Sequence, residues 1–267
     1  MHVGALAVYP LKSAGQVLLQ TMRLDRFGPA GDRRWMLVDA AGRFVTQRTH
    51  PRMCLLSVQE SDTGLWLHAP GCPAFHVARP EDGIEVRVQV WDDWVPARRA
   101  GDRADAWCSG FLGMPVRLVW MPESTCREVS PAHAGPGHTT GFSDGFPILL
   151  ATQSSLDYLN ERLDIAVDWR RFRPNIVVAG DVAPHAEDQW RRLRIGEVEL
   201  AVVKPCSRCV IPSINPDTAD KNSQILTVMR GYRTAADGKT CFGQNVIVVS
   251  RPEGAVIRTG DAVEVLD

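Results

Sequence analysis

Hydrophobic and polar residues alternate over short stretches in the first half of the chain. The alternation is strict at residues 84–90, where every second residue is apolar, as in a strand that buries one face. Gly-containing turns at residues 40–42 and 62–64 separate similar stretches, and this spacing is typical of β-hairpins. Helical spacing of apolar residues predicts one short helix at residues 104–113. Further strands are predicted at residues 3–8, 34–39, 54–58, 65–68 and 115–120.

The second half of the chain has apolar runs with the same kinds of turn residue between them. Residues 154–163 carry apolar side chains at helical spacing after a Ser or Thr that can cap a helix, so they predict a second helix. Short strands at regular spacing, separated by turns, predict a mainly β protein with a few helices and a barrel. The strands predicted in this half lie at residues 146–152, 176–180, 190–195, 198–203 and 242–249.

The length of the chain predicts two lobes. With 267 residues the chain is long for one β domain, and chains of this size tend to divide into two packed units. Residues 122–143 are rich in Pro, Gly, Ser, Thr and His, which favours a connection between lobes and a mobile loop. We therefore predict domains at residues 1–121 and 122–267. Within the connection, residues 131–138 either line an entrance or form a solvated loop.

Composition excludes some classes of function. The formal net charge is −1, whereas nucleic-acid binding needs a strong basic excess. No apolar run reaches the length of a membrane-spanning helix, and residues 1–10 predict a first strand rather than a signal peptide. The seven cysteines are odd in number and scattered, which favours free thiols in a reducing compartment, the cytoplasm. We expect Cys54, Cys108 and Cys126 to be small buried hydrophobic residues.

Two cysteines, Cys206 and Cys209, follow the strand predicted at residues 198–203, and Pro205 is expected to end that strand. Three kinds of site have this spacing. A structural zinc site needs two further ligands, and no second pair is present. A dithiol redox pair normally begins a helix, which the prolines that follow disfavour. The third is a single thiolate that binds a soft transition metal, favoured by the positive charge of Arg208; the spacing alone leaves all three open.

Three other segments place cations or amides where strands begin or end. Lys12 and Ser13 follow the first strand, Arg33 precedes the second, and Arg173 and Asn175 precede a third. Arginine suits bidentate contact with phosphate, while lysine acts as a point charge. These segments form an anion site only if the fold brings them together.

Taken together, these segments resemble the MOSC domain, named after the C-terminal domain of molybdenum cofactor sulfurase. In pattern the chain is most similar to the mitochondrial amidoxime-reducing components and to bacterial reductases of N-hydroxylated bases. The resemblance covers nearly the whole chain with six segments in the expected order. The segments are residues 9–13, 32–35, 172–175, 206–209, 215–218 and 242–244.

The resemblance implies a fold and a set of cofactor contacts. It implies an N-terminal β-barrel-like lobe packed on a MOSC β-barrel, with molybdenum–molybdopterin bound between them. Cys209 matches the protein ligand to molybdenum and the catalytic position, with Cys206 nearby. The residues that match cofactor-binding positions are Lys12, Ser13, Arg33, Arg173, Asn175, Arg208 and Asn215. The resemblance also implies a family-level label of pyridoxal phosphate binding, which matches no particular residue of this chain.

The resemblance also implies two-electron reduction of a small N-hydroxylated compound, from N–OH to N–H. Residues up to Asp267 contain no ferredoxin-type cysteine spacing, so we expect electrons from a separate protein of ferredoxin, flavodoxin or cytochrome type. The alternative is a cofactor carrier or sulfur-transfer protein without reductase activity. The chain departs from the family after the cysteines, where Asn215 replaces the usual Asp and Ala219 replaces a turn Gly.

Overall fold

The computed structural model describes all of residues 1–267 and is mainly β, as predicted. In chain order the strands are β1 (His2–Val8), β2 (Val17–Leu19), β3 (Thr21–Asp25), β4 (Gly28–Pro29), β5 (Trp35–Val38), β6 (Ser57–Ser61), β7 (Gly64–Ala69), β8 (Cys72–Ala78), β9 (Glu85–Val90), β10 (Asp93–Arg99), β11 (Arg117–Trp120), β12 (Ile148–Thr152), β13 (Ile176–Ala179), β14 (Arg192–Ile195), β15 (Val198–Ser207), β16 (Cys241–Ser250), β17 (Val256–Arg258) and β18 (Val263–Val265). The helices are α1 (Asp102–Leu112), α2 (Pro131–Ala134), α3 (Gln153–Asn160) and α4 (Gln224–Arg233). Short 3-10 helices lie at Pro51–Leu55, Trp169–Arg171, Ala186–Asp188 and Ile211–Ser213.

An eight-stranded sheet dominates the second lobe, in the order β18-β14-β15-β16-β12-β13-β1-β2. Its neighbours are antiparallel except for β12 and β13, which are parallel. The first strand of the chain belongs to this sheet, since Leu6 pairs with Ile176. Both residues lie in an 18-residue apolar core that covers one face of the sheet. The N-terminal strand thus reaches across to the second lobe, and the predicted division after residue 121 stays a prediction.

Two smaller sheets and one helix form much of the first lobe, and β3 and β4 belong to a further sheet of order β17-β3-β4. One sheet has the order β5-β11-β10-β9 and the other β6-β7-β8. Helix α1 packs Cys108 and Phe111 into a 17-residue core together with Leu37 and Leu118. As predicted, this helix ends at a glycine, because Gly113 has φ 70° and closes the last turn in a left-handed conformation.

Helix predictions were partly correct. Helix α3 is shorter than predicted, and Thr152 caps it by accepting a hydrogen bond from the Ser155 amide. The sequence patterns predict no helix at the position of α4. In the structure Ile225 and Met229, four residues apart, bury one face of this helix. The strand predicted at residues 54–58 is wrong in its first half, which is 3-10 helical. None of the helices is both long and apolar enough to cross a membrane.

Strand β15 carries the cysteine segment further than predicted. Pro205 does not end this strand, which pairs with β16 through Pro205–Gln244 and Ser207–Cys241. The register shifts after Val202 and again after Pro205, and such bulges accommodate a residue that has no amide hydrogen. Cys206 therefore lies within the strand and Cys209 just beyond its end.

Candidate functional site

A cavity of about 410 Å³ lies between the lobes and collects most of the predicted site residues. Seven of the eight line it: Lys12, Ser13, Arg33, Arg173, Asn175, Arg208 and Cys209. Only Asn215 lies outside the lining. The fold therefore brings together cationic segments and a thiol that are far apart in the sequence.

Two arginines share one aromatic ring at one side of this cavity. The guanidinium carbons of Arg33 and Arg173 each lie 4.2 Å from the ring centroid of the buried Tyr9. Arg33 pairs with Asp32 at 2.6 Å, whereas Arg173 donates to the Ala14 carbonyl at 2.6 Å and has no carboxylate partner. Burial and the charge of Arg33 lower the pKa of Arg173 to about 10. An anion bound here would relieve this excess of positive charge.

Asn175 holds this arrangement in place. The side chain is buried, and its Nδ2 donates to the Ala7 carbonyl at 3.1 Å. Its Oδ1 accepts from the Leu149 amide and from Arg33, both at 3.1 Å. The amide therefore links β1 to β12 and orients Arg33, while its predicted contact with a cofactor stays a prediction.

Unusual backbone conformations are concentrated in the cavity. Six non-glycine residues of the chain have φ between +46° and +71°. Four of them line this cavity: Ser13, Arg33, Trp91 and Arg173. L-residues avoid this region of φ, and residues held there by their surroundings are concentrated at functional sites. This observation favours a ligand site independently of the charges.

Lys12 is a buried cation with a single carboxylate partner. Its Nζ donates to the Phe142 carbonyl at 2.6 Å and to Asp144 at 2.7 Å. Burial lowers the pKa of Lys12 to about 8, although Asp144 opposes this change. The ammonium is therefore charged at neutral pH and titrates at mildly alkaline pH.

The affinity of the cavity for an anion should fall as the pH rises through about 8, because Lys12 then loses its charge. Sulfate is a suitable probe, since its own charge is constant over this range. We expect sulfate to bind about three- to tenfold more weakly on the alkaline side, as one ionic contact is lost. Calorimetric titration of the purified protein measures this, and Lys12→Met should remove the pH dependence. An affinity that stays constant across pH 8 in the unsubstituted protein would contradict it.

The thiol of Cys209 lies against an arginine from the first lobe. Arg48 Nε donates to Cys209 Sγ at 3.3 Å, and Arg48 Nη2 pairs with Asp144. The Arg48 guanidinium also lies 4.9 Å from the ring of Trp91, whose Nε1 donates to Asp144 at 3.3 Å. Burial lowers the pKa of Arg48, but Asp144 and Cys209 outweigh this and raise it above its ordinary value. Contacts with Asp144, Trp91 and the Cys209 sulfur thus hold the Arg48 guanidinium in position.

Cys206 has a different partner. Arg208 Nη1 donates to Cys206 Sγ at 3.1 Å, and Arg208 Nη2 donates to the Phe172 carbonyl at 2.8 Å. The Nε of Arg208 is buried without a partner. No three His, Cys, Asp or Glu side chains of the chain are grouped so that they could hold a metal ion. A structural zinc site needs four protein ligands. The two cysteines have no further ligands grouped with them, which disfavours structural zinc.

Asn215 forms a turn of its own, away from the cavity. Its Oδ1 accepts from the Asp217 amide at 2.9 Å, and its carbonyl accepts from the Ala219 amide at 2.8 Å. Ala219 has φ 66°, a conformation that favours glycine. The alanine thus occupies a backbone conformation in which glycine would be less strained.

Replacing Ala219 with glycine should raise the free energy of unfolding by about 0.5–1 kcal/mol, because the left-handed conformation is strained for L-residues. Gly254→Ala is the matched converse, since Gly254 has φ 75° and a Cβ added there meets nothing within 4 Å. That variant should lose a similar amount. Urea unfolding of both variants measures the effect; no gain for Ala219→Gly would show that the loop relaxes around the alanine.

Sequence patterns do not predict several of the residues that line the cavity, among them Gln47, Arg48, Trp91 and Asp144. Each occupies a loop or turn beside a predicted strand, where local patterns do not show which loops meet. Residues 131–138 do not line this cavity; Gly137 and His138 line a separate groove. Cys108 is buried as expected, but Cys126 is exposed and Cys54 is half-buried, because both lie outside the regular strands.

Two family models together match most of the chain. The MOSC N-terminal beta barrel domain matches residues 1–115, and the MOSC domain matches residues 137–264. The chain belongs to the family of MOSC-domain proteins. In this MOSC-domain protein both matched ranges contribute to the cavity, Lys12 and Arg48 from the first and Arg173 and Cys209 from the second. The resemblance inferred from the sequence segments is thereby confirmed.

The MOSC-domain protein is similar to several relatives over nearly its full length. Mitochondrial amidoxime-reducing component 1 from Mus musculus is 31% identical over 283 residues, which cover 99% of this chain and 82% of that protein. The Homo sapiens protein of the same name is 32% identical over 284 residues, with the same coverage. Mitochondrial amidoxime reducing component 2 from Rattus norvegicus is 32% identical and covers 86% of this chain and 72% of that protein.

Proposed function

We propose that this MOSC-domain protein binds molybdenum–molybdopterin in the cavity between its lobes and reduces small N-hydroxylated compounds, from N–OH to N–H. Electrons come from a separate donor protein of ferredoxin, flavodoxin or cytochrome type. The observation that carries the proposal is the joining of two kinds of group in one cavity. Two arginines without a carboxylate partner, Arg173 and Arg208, and the paired cations Lys12 and Arg33 line it together with the thiol of Cys209.

The residues present suit such a cofactor. Arg173 and Arg208 form no salt bridge, and Arg208 Nε is buried without any partner, so acceptors from a ligand would satisfy them. A phosphate is the kind of anion that guanidinium groups and a buried lysine bind. A cysteine thiolate is a preferred ligand for soft transition metals. The donor set therefore fits a group that carries both a phosphate and a metal.

In the proposed complex Lys12, Ser13, Arg33 and Arg173 hold the anionic end, and Cys209 binds the metal. When bound, the cofactor supplies the two-electron redox chemistry. The net reaction converts one N–OH bond, two electrons and two protons into one N–H bond and water. The residues of the chain bind and orient the cofactor and the substrate, and they supply protons.

Arg48 orients the Cys209 sulfur through its Nε contact. Desolvation would raise the pKa of Asp144, but Lys12 and Arg48 outweigh it and hold that pKa well below its usual range. The carboxylate is therefore ionised at neutral pH, so it fixes Lys12 and Arg48 and cannot donate a proton. Lys12 Nζ has a pKa of about 8 and can release a proton to the cavity near neutral pH. Trp91 is 44% exposed and forms part of the cavity wall near Asp144.

Two measurements test the proposal together. The first is elemental and pterin analysis of the purified protein, in which we expect molybdenum and pterin in equal amounts. The second is turnover of benzamidoxime with reduced methyl viologen as an artificial donor. Cofactor content with turnover supports the reductase. Cofactor content without turnover of any N-hydroxylated compound favours a carrier or sulfur-transfer protein, and zinc in place of molybdenum contradicts both.

A further inference from the structure

A second cavity of about 340 Å³ lies behind the first, also between the lobes. Gln47, Arg173 and Ile211 line both cavities and form the wall between them. The 3-10 helix Pro51–Leu55 and the turn after Ile214 enclose the rest of the space. We call this space the rear chamber. Neither the thiol of Cys209 nor Lys12 faces it, so it is distinct from the proposed metal site.

The rear chamber has one buried amide donor without an acceptor and two arginines without a carboxylate partner. The side chain of Gln47 is 3% exposed, and its Nε2 is buried without a partner. The Nη1 of Arg171 donates a hydrogen bond to the Pro212 carbonyl at 3.2 Å, and Arg171 has no carboxylate within salt-bridge distance. Arg173 likewise has none. A buried donor without an acceptor is unfavourable, so a ligand that offers an acceptor to Gln47 Nε2 would complete this wall.

The remaining lining of the rear chamber limits the kind of ligand. Leucine, isoleucine and proline side chains form its apolar part: Leu55, Leu56, Ile211, Ile214, Pro70 and Pro216. Asp217 is its only carboxylate, and Arg170, which also pairs with Asp168, binds both oxygens of Asp217 at 2.5 and 2.8 Å. Two unpaired arginines beside an apolar surface suit an anion that carries a short apolar body.

We propose that the rear chamber binds a small organic carboxylate, held by Arg171 and Arg173 and by the amide of Gln47. A planar carboxylate matches the fork of a guanidinium group. Arg173 and Gln47 also face the main cavity, so an occupant of one cavity takes donors from the other. Binding in the two cavities is therefore negatively coupled, and the coupling is equal in both directions.

The test uses benzoate and hexanoate as probes, with benzamide and hexanamide as uncharged counterparts of the same shape. Cys54 lines the rear chamber, so its alkylation by iodoacetamide, followed by peptide mass mapping, reports occupancy. We expect the carboxylates to slow alkylation of Cys54 and the amides to have no effect. The exposed Cys126 should react at one rate throughout. Equal protection by amides, or no protection by either carboxylate, overturns the proposal.

Variants separate the site from general effects of charge. Arg171→Gln should weaken protection of Cys54 by benzoate by about tenfold or more, as a charged hydrogen bond is lost. Arg191→Gln is the matched control, because that arginine is exposed and faces neither cavity. Gln47→Leu should also weaken binding while it stabilises the empty protein, since it removes an unsatisfied buried amide. Unchanged binding in both Arg171→Gln and Gln47→Leu contradicts the site.

Coupling provides a second readout on the unsubstituted protein. Sulfate titrated against the main cavity should bind several-fold more weakly in saturating benzoate than in saturating benzamide. In Arg171→Gln, at the same benzoate concentration, this difference should shrink, because benzoate occupies the rear chamber less. An equal sulfate affinity in benzoate and benzamide would show that the shared wall does not link the cavities.

Discussion

Cys209→Ala is expected to reduce turnover of an N-hydroxylated substrate by about a hundredfold or more, since losing only an outer partner of a metal ligand already costs about 10- to 100-fold. The variant should also contain less molybdenum per chain, while pterin can still bind through the cationic side of the cavity. Elemental and pterin analysis beside the turnover assay separates the two effects. Folding should be unaffected, because the thiol is only partly buried and packs in no core.

Cys206→Ala is the matched control for this prediction. Both thiols contact an arginine at similar distance, Cys206 with Arg208 at 3.1 Å and Cys209 with Arg48 at 3.3 Å. Removal of Cys206 should leave most of the metal and most of the turnover. If Cys206→Ala loses molybdenum and Cys209→Ala keeps it, the ligand has been assigned to the wrong cysteine.

The difference between these two thiols shows where sequence reasoning stopped. The Cys-x-x-Cys spacing by itself left zinc, dithiol exchange and single-thiolate binding open. Each thiol has an arginine partner, and that of Cys209 is Arg48, which lies 161 residues earlier in the chain. No local pattern marks Arg48, because it stands in an irregular segment and is positioned by Asp144 and Trp91. The family resemblance points to Cys209 as the metal ligand, and this assignment stays a prediction.

Strands were easier to predict than the pairing between them. The hairpin of β14 and β15 follows directly from two apolar runs around Gly196, and the structure contains it. The pairing of β1 with β13 joins residues at least 170 positions apart, and no periodicity encodes it. Yet that pairing places Lys12 and Arg33 beside Arg173. The cationic side of the cavity is therefore a product of topology, which a single sequence shows only through resemblance.

Strain was also beyond the reach of local patterns. Ser13, Arg33 and Arg173 were singled out for their polar groups, and all three have positive φ. Polar residues other than glycine give no sequence indication of such a conformation. The coincidence of polar groups and strain at the same residues supports the proposal that the cationic side of the cavity binds an anion.

Arg173→Met is expected to weaken binding of sulfate in the main cavity on the order of a hundredfold, since a buried guanidinium that makes charged hydrogen bonds contributes about 1.5–3 kcal/mol. The same variant should retain less pterin after purification. Without ligand it should be no less stable than the unsubstituted protein, because the buried cation and its repulsion with Arg33 are both removed. Calorimetric titration and denaturant unfolding measure the two quantities.

A loss of sulfate binding without a loss of stability would separate a ligand-binding role for Arg173 from a structural one. A structural arginine would lose both when replaced, whereas Arg173 should lose binding alone. Arg173→Lys keeps the charge without the planar fork and should fall between the two, and Arg191→Met controls for loss of a positive charge elsewhere. Unchanged sulfate affinity and pterin content in Arg173→Met would show that Lys12 and Arg33 suffice for the anion, and that the strain at residue 173 serves another purpose.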